Sequence, residues 1–226
     1  MLDFPLWFDS KRFVPEKSLR EAKATLSKKT PLVGDFSKIR GPAVGFCGSM
    51  TEAKGVFDLL SLWEGSDDLR GSCQLLLAGK GNDLDRVLVR CEALRAKGAH
   101  VLHLGGLNLN DMPAFYALTD VLIVPSRTVL NWKEQFGRII VEAQACGSIA
   151  IGSDSGEIPY VIDDPVRIFP EGDAKSMYAA IKKAMTLTSP DRDEIKRKNF
   201  LRFSDVELAK NFQTQLKSFL GLASAP

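Results

Sequence analysis

From residue 42 onward the chain alternates short apolar runs with stretches in which apolar residues recur three and four positions apart. The apolar runs are PAVGFCG (42–48), CQLLLAG (73–79), VLHLGG (101–106), DVLIVPS (120–126), SIAIGSD (148–154) and VRIFP (166–170). They are mostly apolar on both faces, as strands covered on both sides have to be. Between them GVFDLLSLWEG (55–65), DLDRVLVRCEALRAKG (83–98), DMPAFYALT (111–119) and FGRIIVEAQACG (136–147) carry the helical period. Several end on a glycine, the residue that closes helices in a left-handed conformation. The alternation predicts an α/β fold: a doubly wound, parallel, Rossmann-like sheet with helices on both faces. Such sheets bind ligands outside the carboxyl ends of their strands, which selects the turns after Gly48, Gly79, Gly106, Ser126 and Asp154.

The two ends are patterned differently. Residues 1–30, rich in aromatics and proline and then in charge, read as a linker-like segment and a helix, with the sheet domain over 31–188. Residues 189–226 read as carboxyl-terminal helices, in which Leu208, Phe212, Leu216 and Phe219 form one stripe. The aromatics Phe4, Trp7 and Phe8 and this stripe are expected to lack part of their cover. The basic run at 196–198 is most simply a solvated helix face, with a membrane-surface contact as the alternative.

Composition narrows the function classes. The 226 residues are 45% hydrophobic and 26% charged, enough for one sizeable core. A formal net charge of +2 argues against a dedicated nucleic-acid binder. No apolar run approaches the roughly 20 residues of a bilayer span. The start, MLDFPLWFDSKRF, lacks the pattern of a signal peptide. Cys47, Cys73, Cys91 and Cys146 lie at wide spacings inside the expected elements and read as reduced, buried, cytosolic thiols.

The stretch EQFGRIIVEAQACGS (134–148) holds the most informative pair. With a helix starting near Phe136, Glu134 lies in the turn before it and Glu142 a turn and a half inside. Two acids that far apart cannot share a proton as a tight acid/base pair. They suit a long ligand, with a phosphate over the free N–H groups of Gly137, Arg138 and Ile139 and hydroxyl-bearing rings to either side. The alternative is an ordinary helix in which Glu142 pairs with Arg138. In GFCGSMTEAKGVFDLL a strand ends at Gly48, a polar turn follows, and Lys54-Gly55 opens a helix, as in phosphate sites generally. The Walker pattern and GxGxxG are both missing. The DxD matches at 83–85 and 191–193 fall at expected helix starts, where Asp serves as a cap, and no metal site is expected. His100 and His103 have no nucleophile or carboxylate in a recognisable arrangement, and DSG (154–156) reads as a helix-entry turn.

Together these pieces resemble the retaining glycosyltransferases of the two-domain GT-B fold, family 4. Glu134 and Glu142 match that family's E-x7-E signature with Phe136-Gly137 between them. Gly48 to Gly55, LLLAGKG, LGGLNLNDMPAFYALTDVLIVPS and FPEGD follow in the family's order, and the resemblance is strong over roughly 42–185. It implies the carboxyl-terminal half, which binds a nucleotide-diphosphate sugar as substrate with no cofactor. By resemblance Lys54 and Glu134 are catalytic. The donor is held by Gly48, Ser49, Leu107, Ser126, Phe136, Gly137, Arg138, Ile139 and Glu142, with the diphosphate on Lys54 and the N–H groups of 137–139. Glu134 would take the transferred sugar's hydroxyls, Glu142 the ribose diol and backbone near Leu107 the base. The family's usual arginine after the first glycine is Ser49 here, which either weakens the diphosphate clamp or shifts its task to Arg127 or Arg138. DSKRFVP (9–15) resembles the segment joining the two halves, so an acceptor-binding amino-terminal domain is expected to precede residue 1. The partner is then that removed domain or a separate subunit, with action in the cytoplasm, peripheral at the inner face of the membrane. The role implied is polysaccharide or glycolipid synthesis. The competing reading is a non-catalytic nucleotide-sugar-binding subunit that needs an acceptor-binding partner.

Overall fold

A computed structural model describes residues 7–15, 19–28, 31–39 and 41–220. In chain order the helices and strands are α1 Leu19–Leu26, β1 Ala43–Cys47, α2 Val56–Gly65, α3 Asp67–Ser72, β2 Gln74–Ala78 and α4 Leu84–Ala96. Then come β3 Val101–His103, α5 Met112–Ala117, β4 Val121–Val124, α6 Arg138–Ala145, β5 Ile149–Ser153 and α7 Ile158–Ile162. β6 Ile168–Phe169, α8 Ala174–Met185, α9 Ser189–Phe203 and α10 Asp205–Phe219 complete the series. The six strands form one parallel sheet in the order β3-β2-β1-β4-β5-β6. Strand order reverses between β1 and β4, paired through Val44 with Val121 and Gly45 with Leu122, and the crevice above their carboxyl ends is where such sheets take ligands.

Alternation along the strands builds two cores. Val44, Phe46, Leu75, Leu77, Val121, Ile123, Ile149 and Ile151 face the layer that holds Trp63, Leu94 and Ile181. Leu76, Leu122, Val124 and Ala150 face the layer that holds Phe115, Tyr116, Ile140 and Phe203. Two-sided burial explains the near-continuous apolar strands of the sequence.

Three features depart from the sequence pattern. A short helix, α3, precedes β2, started by the Ser66 hydroxyl, which accepts from the Leu69 N–H at 3.2 Å. The run at 166–170 yields only a two-residue strand, because Asp164 caps a 3-10 turn over Pro165–Arg167 that uses up its first half. The third correction concerns α6, which begins at Arg138 rather than near Phe136. Gly137 stands before it at φ 70°, a left-handed conformation that cannot belong to the helix. The two DxD matches do mark helix starts. Asp83 precedes α4, and Asp191 accepts the Thr188 N–H in a capping box on α9.

The carboxyl-terminal helices are tied to α6 by buried polar groups. Arg167 donates to Gln144 at 2.6 Å and to the Ile162 carbonyl at 2.9 Å. Gln144 donates to Asn199 at 3.2 Å, and Asn199 reaches the Val141 carbonyl at 2.9 Å. The expectation of missing cover divides. Phe8 is buried, bonded through its N–H to the Phe203 carbonyl at 3.0 Å, because residues 7–9 run beside the α9–α10 junction. Trp7, Leu216 and Phe219 are exposed, and Phe4 lies outside the described residues. All four cysteines are free, and burial raises the thiols of Cys47 and Cys91 to about 12.

Residues 31–34 cover the β3 edge of the sheet: Leu32 donates to the His103 carbonyl at 2.7 Å and His103 to the Val33 carbonyl at 2.9 Å. The His103 ring is fully buried, and its Nδ1 accepts the Gly105 N–H at 3.0 Å, which leaves the proton on Nε2. Nε2 has no partner among the described residues. Burial without a counter-charge lowers the imidazole from 6.5 to about 4. Between these two values the unfolded chain binds the proton and the folded chain does not, so stability falls as pH drops through that window. Equilibrium unfolding of wild type against His103→Asn across the window tests this. The wild type should lose up to about 3 kcal/mol more than the variant between pH 6.5 and 4. Parallel pH profiles would contradict it.

Candidate functional site

The turn after β1 is pressed onto the end of β4. Gly55 has φ 72°, and a Cβ there would lie 1.7 Å from the Pro125 carbonyl oxygen, so only glycine fits. The Arg127 N–H donates to the Ala53 carbonyl at 2.8 Å and fastens the two segments. Gly48 continues the β1 ladder by donating to the Ala78 carbonyl at 3.0 Å, and Ser49 is exposed at the bend. Lys54, in the 3-10 turn Glu52–Lys54, is thereby held at the carboxyl edge of the sheet beside the residues that follow β4.

Three of the expected site residues meet there. Lys54 Nζ lies 2.7 Å from Glu134 Oε2, and the Ser126 hydroxyl donates to the same oxygen at 3.0 Å. The Lys54 and Glu134 side chains keep 28% and 12% of their surface exposed, so a ligand can still reach them. The Lys54 ammonium also sits 4.5 Å from the centre of the Trp132 ring. Trp132 belongs to a two-residue hairpin, closed by Val129 N–H to Trp132 carbonyl at 2.8 Å and the return bond at 3.0 Å. The backbone of Glu134 is fixed: its carbonyl accepts the Glu157 N–H at 3.0 Å, and Gly156, at φ 54°, lets the chain pass close beneath it.

Just beyond, the first turn of α6 offers the N–H groups of Arg138 and Ile139, which have no intrahelical acceptor. The Ile140 N–H is used by the Gly137 carbonyl at 2.8 Å. Phe136 turns its ring away from the crevice onto Phe203, centroids 5.6 Å apart, so only its backbone is available to a ligand. Glu142 lies deeper. It is buried, accepts the Tyr116 hydroxyl at 2.9 Å, and has its carboxyl raised above the ordinary range by that burial. Its partner is therefore Tyr116, not the Arg138 of the alternative reading. Leu107, after β3, packs half-buried against the core.

Of the two arginines expected to replace the family's arginine at Ser49, Arg127 is committed. Its Nε and Nη2 donate to Asp58 at 2.5 Å each. Arg138 is exposed and makes no ion pair among the described residues. Sequence reasoning missed Tyr116 and Trp132. A tyrosine on an otherwise apolar helix face does signal a buried hydroxyl in need of an acceptor, whereas nothing local announces a tryptophan on a loop. Described residues contain no group of three or more His, Cys, Asp and Glu side chains that could hold a metal ion, and no described helix is long and apolar enough to cross a membrane.

The geometry can be set against known proteins. Curated relatives include the lipopolysaccharide 1,2-N-acetylglucosaminetransferase of Salmonella typhimurium, 25% identical over 77% of this chain and 48% of that protein. The GDP-mannose-dependent monoacylated alpha-(1-6)-phosphatidylinositol monomannoside mannosyltransferase of Corynebacterium glutamicum is 28% identical over 74% of this chain and 42% of that protein. The chain thus spans less than half the length of these relatives. Among solved structures, the fold matches sucrose-phosphate synthase from Thermosynechococcus elongatus with TM-score 0.71 and 21% identity, over 97% of this chain and 52% of that one. It matches Anabaena HepE in complex with UDP and glucose with TM-score 0.71 and 18% identity, over 94% and 55%. These are GT-B structures, and the six-stranded parallel sheet with its helices matches about half of each. The family model of the glycosyl transferases group 1 matches residues 37–201, which includes every side chain of the crevice just described, and the chain belongs to that family.

Proposed function

We propose that this chain is the donor-binding half of a metal-independent, retaining glycosyltransferase of family 4, acting in polysaccharide or glycolipid synthesis. The observation that carries the reading is the convergence of Lys54, Glu134 and the start of α6 on the crevice where strand order reverses. A diphosphate laid across that crevice would meet a fixed ammonium on one side and free N–H groups with the positive end of a helix on the other. Negative charge that develops on the leaving diphosphate as the glycosidic bond breaks is stabilised there without a divalent ion or other cofactor. Arg138, exposed and unpaired at the same helix start, is the cation that takes over from the arginine missing at Ser49. Glu134 would accept from the transferred sugar's hydroxyls and Glu142 from the ribose diol, with the base near Leu107.

The acceptor is proposed to be held by a wall outside this unit, an amino-terminal domain or a separate subunit. Transfer needs donor and acceptor in contact with water excluded, and the relatives of known activity are about twice as long as the stretch matched here. The site of action is proposed to be the cytoplasmic face of the membrane.

Calorimetry with UDP, GDP, ADP and their sugars, with and without EDTA, tests the metal-free diphosphate site. Binding should persist unchanged in EDTA, and its disappearance would refute the reading. The same titrations test Glu142. Removing its charge in Glu142→Gln should weaken free nucleotide and nucleotide sugar alike, by ~10- to 100-fold, the usual worth of a charged hydrogen bond. Unaltered affinity for the free nucleotide would remove Glu142 from the ribose.

A further inference from the structure

Two parts of the site that the donor would engage are not independent: the cation is already taken. Lys54 Nζ donates to Glu134 Oε2 at 2.7 Å, and the Trp132 indole closes off another side of the ammonium. The carboxylate that would accept from sugar hydroxyls is thus spent on the group that would hold phosphate.

We propose that Glu134 is the resident counter-ion of Lys54 and that the donor's diphosphate displaces it, releasing the carboxylate to the sugar. This rests on the nucleotide-diphosphate reading above and adds to it an order of events. A diphosphate arriving at Lys54 brings at least two negative charges to within contact distance of Glu134, where repulsion is screened less than in bulk water. The two anions compete for one ammonium that Trp132 already covers in part. The weaker competitor is the single carboxylate.

The surrounding contacts allow the side chain to move and forbid the backbone to follow. The Glu134 carbonyl is held by the Glu157 N–H at 3.0 Å, and Gly156 packs so close that a Cβ there would lie 1.9 Å from that carbonyl oxygen. Ser126 Oγ, 3.0 Å from Glu134 Oε2, is itself placed by the strand end: its carbonyl accepts the Ser153 hydroxyl at 2.5 Å. The swing is therefore a rotation about side-chain bonds over a fixed chain. Trp132 keeps Lys54 in position while its counter-ion changes. The pairing neutralises both groups. With the diphosphate bound, Glu134 faces the transferred sugar only once the other end of the donor is already in place.

The test compares wild type with Glu134→Gln, which keeps the shape of the side chain and a polar contact to Ser126 but removes the competing charge. Affinities for inorganic pyrophosphate, UDP, GDP and ADP, and for the matching nucleotide sugars, are measured on both. The variant should bind pyrophosphate and the preferred nucleoside diphosphate ~3- to 10-fold tighter, while the extra affinity conferred by the sugar shrinks. Unchanged or weaker diphosphate binding by the variant overturns the exchange. A wild type that binds none of the probes overturns the nucleotide reading itself, a different result. A second measurement needs no variant. In a crystal structure of wild type with the preferred nucleoside diphosphate, Glu134 should lie beyond the ion-pair reach of about 4 Å from Lys54 Nζ. A Lys54–Glu134 pair that persists beside bound diphosphate overturns the proposal.

Discussion

One steric constraint underlies the site. The turn after β1 and the last residue before Ser126 meet so closely that a side chain at Gly55 would overlap the Pro125 carbonyl. That contact, with the Arg127 N–H on the Ala53 carbonyl, fixes the height of Lys54 above the sheet. It also fixes the position of Ser126, and through Ser126 that of the Glu134 carboxylate. The parallel sheet needs the same contact for another reason. β1 and β4 are the neighbours across which strand order reverses, and the loops leaving them go to opposite faces. A crevice opens between the diverging loops, and its floor is set by how near they approach at their base.

Charge is arranged around that floor so that none is buried without a partner. Glu142 is the most deeply placed acid of the site, and its one close donor, Tyr116, is neutral, which is why burial outweighs the hydrogen bond and raises its carboxyl. Lys54 and Glu134 solve the same problem by pairing. Arg127 does so with Asp58, and that pair braces the loop that carries Trp132 to α2. Lys54 and Arg127 at the crevice each hold a carboxylate partner, and a polyanion is the kind of ligand that can compete for such cations.

Much of this was legible in the sequence because it is local. Strands with no polar face and glycine-terminated helices each announce a parallel sheet covered on both sides. The six strands, the two terminal helices and the capping role of Asp191 were read from such signals; Asp83 does stand at the start of α4, but its side chain makes no capping bond there. The misses are of another kind. The α6 start moved two residues because Gly137 adopts a left-handed conformation that a pattern of apolar spacing cannot register. Phe8 looked uncovered because its cover, Phe203 and Ser204, lies nearly two hundred residues away in the chain. The pairings Lys54–Glu134 and Glu142–Tyr116 span 80 and 26 residues, and no spacing rule reaches that far.

The proposed ligand lies at the carboxyl edge of the sheet, although the amino edge also offers a cavity of about 250 Å³, lined by Gly34, Gln74, Arg95 and His100 among others. Backbone amide NMR during titration with a nucleoside diphosphate compares the two ends in a single experiment. The largest shifts are expected at Lys54, Gly55 and residues 137–139, with Gly34, Gln74 and His100 unmoved. Shifts concentrated at Gly34, Gln74 and His100, with the start of α6 silent, would contradict it.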